Sequence, residues 1–129
     1  MTLPEPVVFW LDTARRDQGK ARRLADPPMF SEGACFCAQQ AAEKALKAYL
    51  CWLGIPRIPR THDLNALAGL IPEGASDPFD RAALDGLSAY AVTARYERPL
   101  PSDQEAEQAL AWADAVLTQV EGLLEPADE

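Results

Sequence analysis

The chain has 129 residues, with 20 acidic and 12 basic side chains, a net charge of −8 and a mean hydropathy of −0.19. A chain of this size buries roughly two-thirds of its unfolded surface around one core, and no apolar run approaches the ~18 residues of a membrane span. With no basic, apolar and small-residue succession at the amino terminus, the expectation is one soluble, cytoplasmic domain over residues 1–129 with no membrane association.

Periodicity and punctuation predict five helices and no strand. The first spans about residues 5–25, with Val7, Trp10, Leu11, Ala14 and Ala21 inward and Arg15, Arg16, Arg22 and Arg23 outward. It stops at Asp26-Pro27-Pro28, where two prolines forbid continuation. The second spans about 30–53 and closes at Gly54, a residue suited to a left-handed cap. A proline-spaced loop, Ile55-Pro56-Arg57-Ile58-Pro59-Arg60, leads to a brief helix from 61 or 62 to 70, with Thr61 and Asp63 as candidate caps. Asp77-Pro78-Phe79-Asp80 predicts a fourth helix to about 93, with Asp77 capping and Pro78 in the first turn. After Arg95-Tyr96-Glu97-Arg98, Ser102 and Glu105 form a capping box for a last helix to about 124. The predicted fold is all-α: an antiparallel up-and-down bundle of four long helices plus one short helix.

Charge and cysteine narrow the chemistry. Residues 1–98 hold 12 acids and all 12 lysines and arginines, whereas residues 99–129 hold 8 acids and no base. The deficit therefore sits on the last helix, which leaves room for a basic face elsewhere and suggests a docking surface for a basic protein. Cys35, Cys37 and Cys51 are an odd count and are expected as free, partly buried thiols. One histidine, His62, and a Cys35/Cys37 spacing that points the side chains about 200° apart argue against a zinc site. No metal or cofactor is expected.

The second helix carries the most unusual pattern. Gln39, Gln40, Glu43, Lys44 and Lys47 fall within an arc of about 140°, opposite Ala38, Ala42, Ala45, Leu46 and Tyr49, with Phe36 projecting among the polar groups. As a solvated face this ridge is two ordinary i,i+4 pairs, each worth about 0.2–0.5 kcal/mol. As a functional face it offers lysines for phosphate and amides for a base or ribose edge, and either a homodimer cleft or a loop of the same chain lying over the face would cover Phe36.

The run Ala38-Gln39-Gln40-Ala41-Ala42-Glu43-Lys44-Ala45-Leu46-Lys47-Ala48, followed by Thr61-His62-Asp63-Leu64 and Ala94-Arg95-Tyr96, resembles the HEPN domain, the higher eukaryotes and prokaryotes nucleotide-binding domain. The resemblance extends from Trp10-Leu11 to Glu105, Ala109 and Ala113. It implies a helical bundle that commonly forms homodimers, often paired with a minimal nucleotidyltransferase in a toxin–antitoxin-like two-component module. Some branches of the family are metal-independent RNases with an Arg-x4-6-His signature; others bind nucleotides or partners.

Two chemistries follow for this sequence. In the binding reading, Gln39, Gln40, Glu43, Lys44 and Lys47 with Arg95 and Tyr96 contact a nucleotide or the partner protein. In the RNase reading, His62 moves a proton during attack by a ribose hydroxyl while Arg57 or Arg60 stabilises the phosphate. Arg57 and His62 match Arg-x4-His literally, but they lie in a loop before a middle helix, and no histidine follows Arg95. The binding reading is preferred, with RNase and a non-catalytic dimeric adaptor as alternatives.

Overall fold

The computed structural model describes residues 2–26, 30–91 and 100–124. It contains α1 (Glu5–Ala25), α2 (Ser31–Trp52), α3 (Leu64–Ala68), α4 (Arg81–Ser88) and α5 (Asp103–Leu124), and no strand among the described residues.

Three long helices carry the core. Trp10 lies beside Lys47 and Leu24 beside Gly33, so α1 and α2 run antiparallel. Bonds from Arg15 to Glu121 and from Arg22 to Asp114 set α1 antiparallel to α5 as well. The Ser31 hydroxyl donates to Asp103 at 2.7 Å, which puts the amino-terminal ends of α2 and α5 side by side and makes these two helices parallel. The short α4 fills the fourth position, antiparallel to α5, with Gly86 against Trp112 and Pro78 accepting from Gln119.

α2 is the central element. Its alanines 34, 38, 41, 42, 45 and 48 are fully buried, which lets α1 and α5 approach closely. Its end forms a Schellman motif: Gly54, at φ +84°, donates to Cys51, and Ile55 donates to Leu50. That reversal aims the proline-spaced loop back along α2. The chain then re-enters helix at Asp63, whose Oδ1 accepts from the amides of Asn65 and Ala66. Leu64, Leu67 and Ala68 bury α3 against the bundle.

At α5 the capping box is reciprocal: Ser102 N–H donates to Glu105 at 2.8 Å and Glu105 N–H to the Ser102 hydroxyl at 3.1 Å. All three cysteines are free, and burial pushes the Cys35 thiol up to about 11, as expected of a packing residue.

The fourth helix departs from expectation. It is eight residues long and is capped by Asp80, whose Oδ1 accepts from Ala82 and Ala83, not by Asp77. Pro78 and Phe79 precede it because Phe79 turns inward to meet the Tyr49 ring edge-on at 6.0 Å. Asp77 instead pairs with Arg81. The helix ends at Ser88, capped by Ala89 and followed by a turn over 89–91, and so stops short of the expected end near 93. No helix among the described residues is long and apolar enough to cross a membrane.

Two helix glycines should respond oppositely to alanine. A Cβ at Gly86 would meet the Trp112 ring at 2.6 and 2.7 Å, so Gly86→Ala should cost about 1–3 kcal/mol through overpacking. A Cβ at Gly19 meets nothing within 4 Å, so Gly19→Ala should add about 0.5–1 kcal/mol through helix propensity. Urea unfolding of both variants beside the parent measures the two signs; equal effects would show that Trp112 yields freely.

Candidate functional site

The polar ridge of α2 faces inward. Gln39, Glu43 and Lys47 are 0%, 4% and 9% exposed, and only Gln40 and Lys44 keep partial contact with solvent. The ridge is therefore not a solvated face: a loop of the same chain, through His62, covers Gln39 and Glu43. Phe36 is half-buried within the same chain.

Three polar groups surround the Glu43 carboxylate. The Lys47 ammonium donates to Oε2 at 3.0 Å, and Gln39 Nε2 donates to Oε1 at 3.2 Å. His62 Nδ1 lies 2.9 Å from the same Oε1. Burial alone would push the Glu43 carboxyl up, but the His62 bond, the Lys47 bond and charge, and the Gln39 bond together hold it below the ordinary value of about 4.5. Lys47 also sits over the face of Trp10, with Nζ 5.3 Å from the ring centroid.

Gln39 works in two directions. Its Nε2 also donates to the His62 carbonyl at 3.1 Å, while its Oε1 accepts from Gln40 at 2.7 Å. The amide orientation is therefore fixed by partners on both sides. Lys44 is held separately, by a 2.7 Å bond to Asp17 of α1, a buried acid that also lies 3.8 Å from Lys20.

The loop reaching His62 is equally constrained. Thr61 Oγ1 accepts from the Asp63 amide, and the Leu64 amide donates to the Ser88 hydroxyl, which itself donates to the Leu84 carbonyl. With its carbonyl and Nδ1 both engaged, His62 still leaves 56% of its side chain in solvent. It opens into a depression of about 400 Å³ lined by Arg60, Thr61, His62, Asp63 and Ser88.

The structure thus brings together His62 and Arg60, with Glu43, Gln39 and Lys47 behind them. It does not bring Arg57 into the lining of the depression; Arg57 is exposed further back along the loop. Arg95 and Tyr96 lie outside the described residues. Sequence reasoning missed Trp10 and Asp17 as polar partners of α2, and Ser88 as the anchor below His62. Asp17 carried a faint signal, an acid about one turn from the inward-facing Ala14 and Ala21. Among the described residues, no group of three or more His, Cys, Asp or Glu side chains is arranged to hold a metal ion.

Chemically, the site couples a solvent-facing imidazole and a guanidinium on the outside to an ionised, buried carboxylate on the inside. The arrangement suits a ligand that carries both an anionic group and a hydrogen-bonding group.

The HEPN domain profile matches residues 7–123. The crystal structure of TT1696 from Thermus thermophilus superposes with a TM-score of 0.81 at 31% identity, covering 94% of this chain and all of that one. The crystal structure of ST0689, an archaeal HEPN homologue, gives 0.73 at 26% identity, covering 92% of this chain and 98% of that one. None of the curated proteins compared matches the sequence.

Breaking the internal pair should be costly. Glu43→Ala leaves the Lys47 ammonium buried without its carboxylate and should lose about 3–5 kcal/mol in urea unfolding. Because the folded carboxyl titrates below the unfolded one, its stabilisation is complete above about pH 4.5 and fades as pH falls through the folded value. Stability measured against pH should therefore drop less steeply below pH 4.5 in Glu43→Gln than in the parent; parallel acid limbs would remove Glu43 from that dependence.

Proposed function

The chain belongs to the HEPN domain family, and on that premise we propose that it binds a phosphate-bearing ligand, a nucleotide or RNA, in the depression bounded by Arg60 and His62. The observation that carries this reading is the meeting of an exposed imidazole and a guanidinium in one open depression, on a loop anchored from below by Gln39 and Ser88. Arg60 supplies a planar fork for phosphate, and His62 a polar contact beside it. Lys44 and Lys47 act as internal partners of Asp17 and Glu43 and hold the bundle that presents the loop. In the cell this binding surface serves a homodimer within a two-component module with a minimal nucleotidyltransferase, as the family resemblance implies.

A second reading, a metal-independent RNase, draws on the same pair. Phosphodiester cleavage through a ribose hydroxyl needs a cation near the phosphate and an imidazole to carry the proton, and Arg60 and His62 line one depression. Arg57 has a weaker claim to the cation's role, because it does not line that depression.

One experiment separates the readings. A labelled short RNA and adenosine monophosphate are offered in EDTA to the parent, Arg60→Ala and His62→Ala proteins. The expected result is intact RNA and binding weakened by about tenfold or more in each variant, the scale of one lost charge-assisted hydrogen bond. Cleavage by the parent and not by His62→Ala would replace the binding reading with the RNase one. Binding identical in all three proteins would remove the depression from the function.

A further inference from the structure

The orientation of the His62 ring carries a consequence for the ligand. Glu43 Oε1 accepts from Gln39 while lying 2.9 Å from His62 Nδ1, and Glu43 Oε2 accepts from Lys47. A carboxylate held ionised by these donors has only lone pairs to offer, so the hydrogen between Glu43 and His62 belongs to Nδ1. In the neutral ring the second nitrogen, Nε2, is then bare.

We propose that Glu43 is a positioning residue that fixes His62 as the Nδ1–H tautomer, so that the depression presents Nε2 as a hydrogen-bond acceptor and takes a ligand group that donates, such as a hydroxyl. The inference rests on the reading of the depression as the ligand site, and it divides the ligand's chemistry between two residues. Arg60, which can only donate, receives the anionic oxygens. His62, which accepts while neutral, receives a protic group next to them. A phosphate ester with a neighbouring hydroxyl satisfies both residues, whereas inorganic phosphate satisfies Arg60 alone.

The hold on the ring is built, not incidental. Gln39 ties the His62 carbonyl to the same helix that bears Glu43, so backbone and imidazole are registered together. Lys47 occupies the second carboxylate oxygen and is itself confined by Trp10. Glu43 is 4% exposed, which keeps water from competing for the carboxylate. Free imidazole side chains in water favour the opposite tautomer, with hydrogen on Nε2, so the arrangement leaves a measurable signature.

His62 is the only histidine of the chain, so protein carrying 15N-labelled histidine gives one imidazole to observe by NMR. In alkaline buffer, where the ring is neutral, the parent should show Nδ1 as a protonated nitrogen and Nε2 as a bare one. In Glu43→Gln, whose side-chain amide can also donate to Nδ1, the population should move toward Nε2–H. An Nε2–H tautomer in the parent, or the same Nδ1–H tautomer in both proteins, overturns the proposal. Should Glu43→Gln fail to fold, the parent's tautomer decides alone. Adding adenosine monophosphate should then move the Nε2 resonance toward the protonated position as a hydroxyl docks; a shift no larger than inorganic phosphate produces overturns the assignment of a donating ligand group. The tautomer is read without ligand, so its outcome is independent of whether Arg60→Ala and His62→Ala weaken binding, and the two readings fail separately.

Discussion

A buried carboxylate organises this molecule. Glu43 sits in the middle of the central helix, and an isolated charge at that depth costs several kcal/mol unless donors replace its water. Lys47 from one turn on, Gln39 from one turn back and His62 from the following loop supply them. The requirement reaches outward from there. Lys47 needs Trp10 and therefore the register of α1; Gln39 needs the His62 carbonyl and therefore the course of the loop; the loop needs the Schellman reversal at Gly54 and the hydroxyl of Ser88. The polar interior of α2 is thus what ties the positions of α1, α4 and the loop to one another, while the alanine faces supply close packing.

The same network divides the molecule's charge. On the α1–α5 side, Arg15 and Arg22 pair with Glu121 and Asp114, so part of the acidity of α5 is met within the chain. Such exposed pairs stabilise by only about 0–1 kcal/mol each, and their main effect is to temper the local field. On the α2 side, the cations Lys44 and Lys47 are paired inside and lend little to the outer potential. Arg60, exposed beside His62, brings its positive charge to the lining of the depression.

Local signals in the sequence located most of the helices. The bounds of α1, the glycine cap of α2, the Asp63 cap and the Ser102–Glu105 capping box are short-range chemistry, and the structure realises each of them. Where two local rules competed, the sequence was ambiguous: Asp77 and Asp80 both precede helix-compatible residues, and the choice is made by Phe79 burying against Tyr49, a contact thirty residues away in the chain. The ridge of α2 misled for a related reason. A polar arc of about 140° looks the same whether water or a polar seam lies opposite it, and the seam is made by Trp10, Asp17 and His62 from other segments. Residues 39, 40, 43, 44, 47, 60 and 62 could be picked out as chemically interesting, but which of them face solvent was decided by tertiary contacts.

The chain distances within this network have a kinetic meaning. The bonds that join Gln39, Glu43, Lys47 and His62 link residues 4, 19 and 23 apart, all within the first half of the sequence, whereas those that lash α1 to α5 span 92 to 106 residues. Closing a short loop costs less entropy than closing a long one, and local contacts form sooner. The geometry around His62 can therefore begin to assemble from a segment synthesised ahead of α5, which arrives afterwards to cover the remaining face of α2.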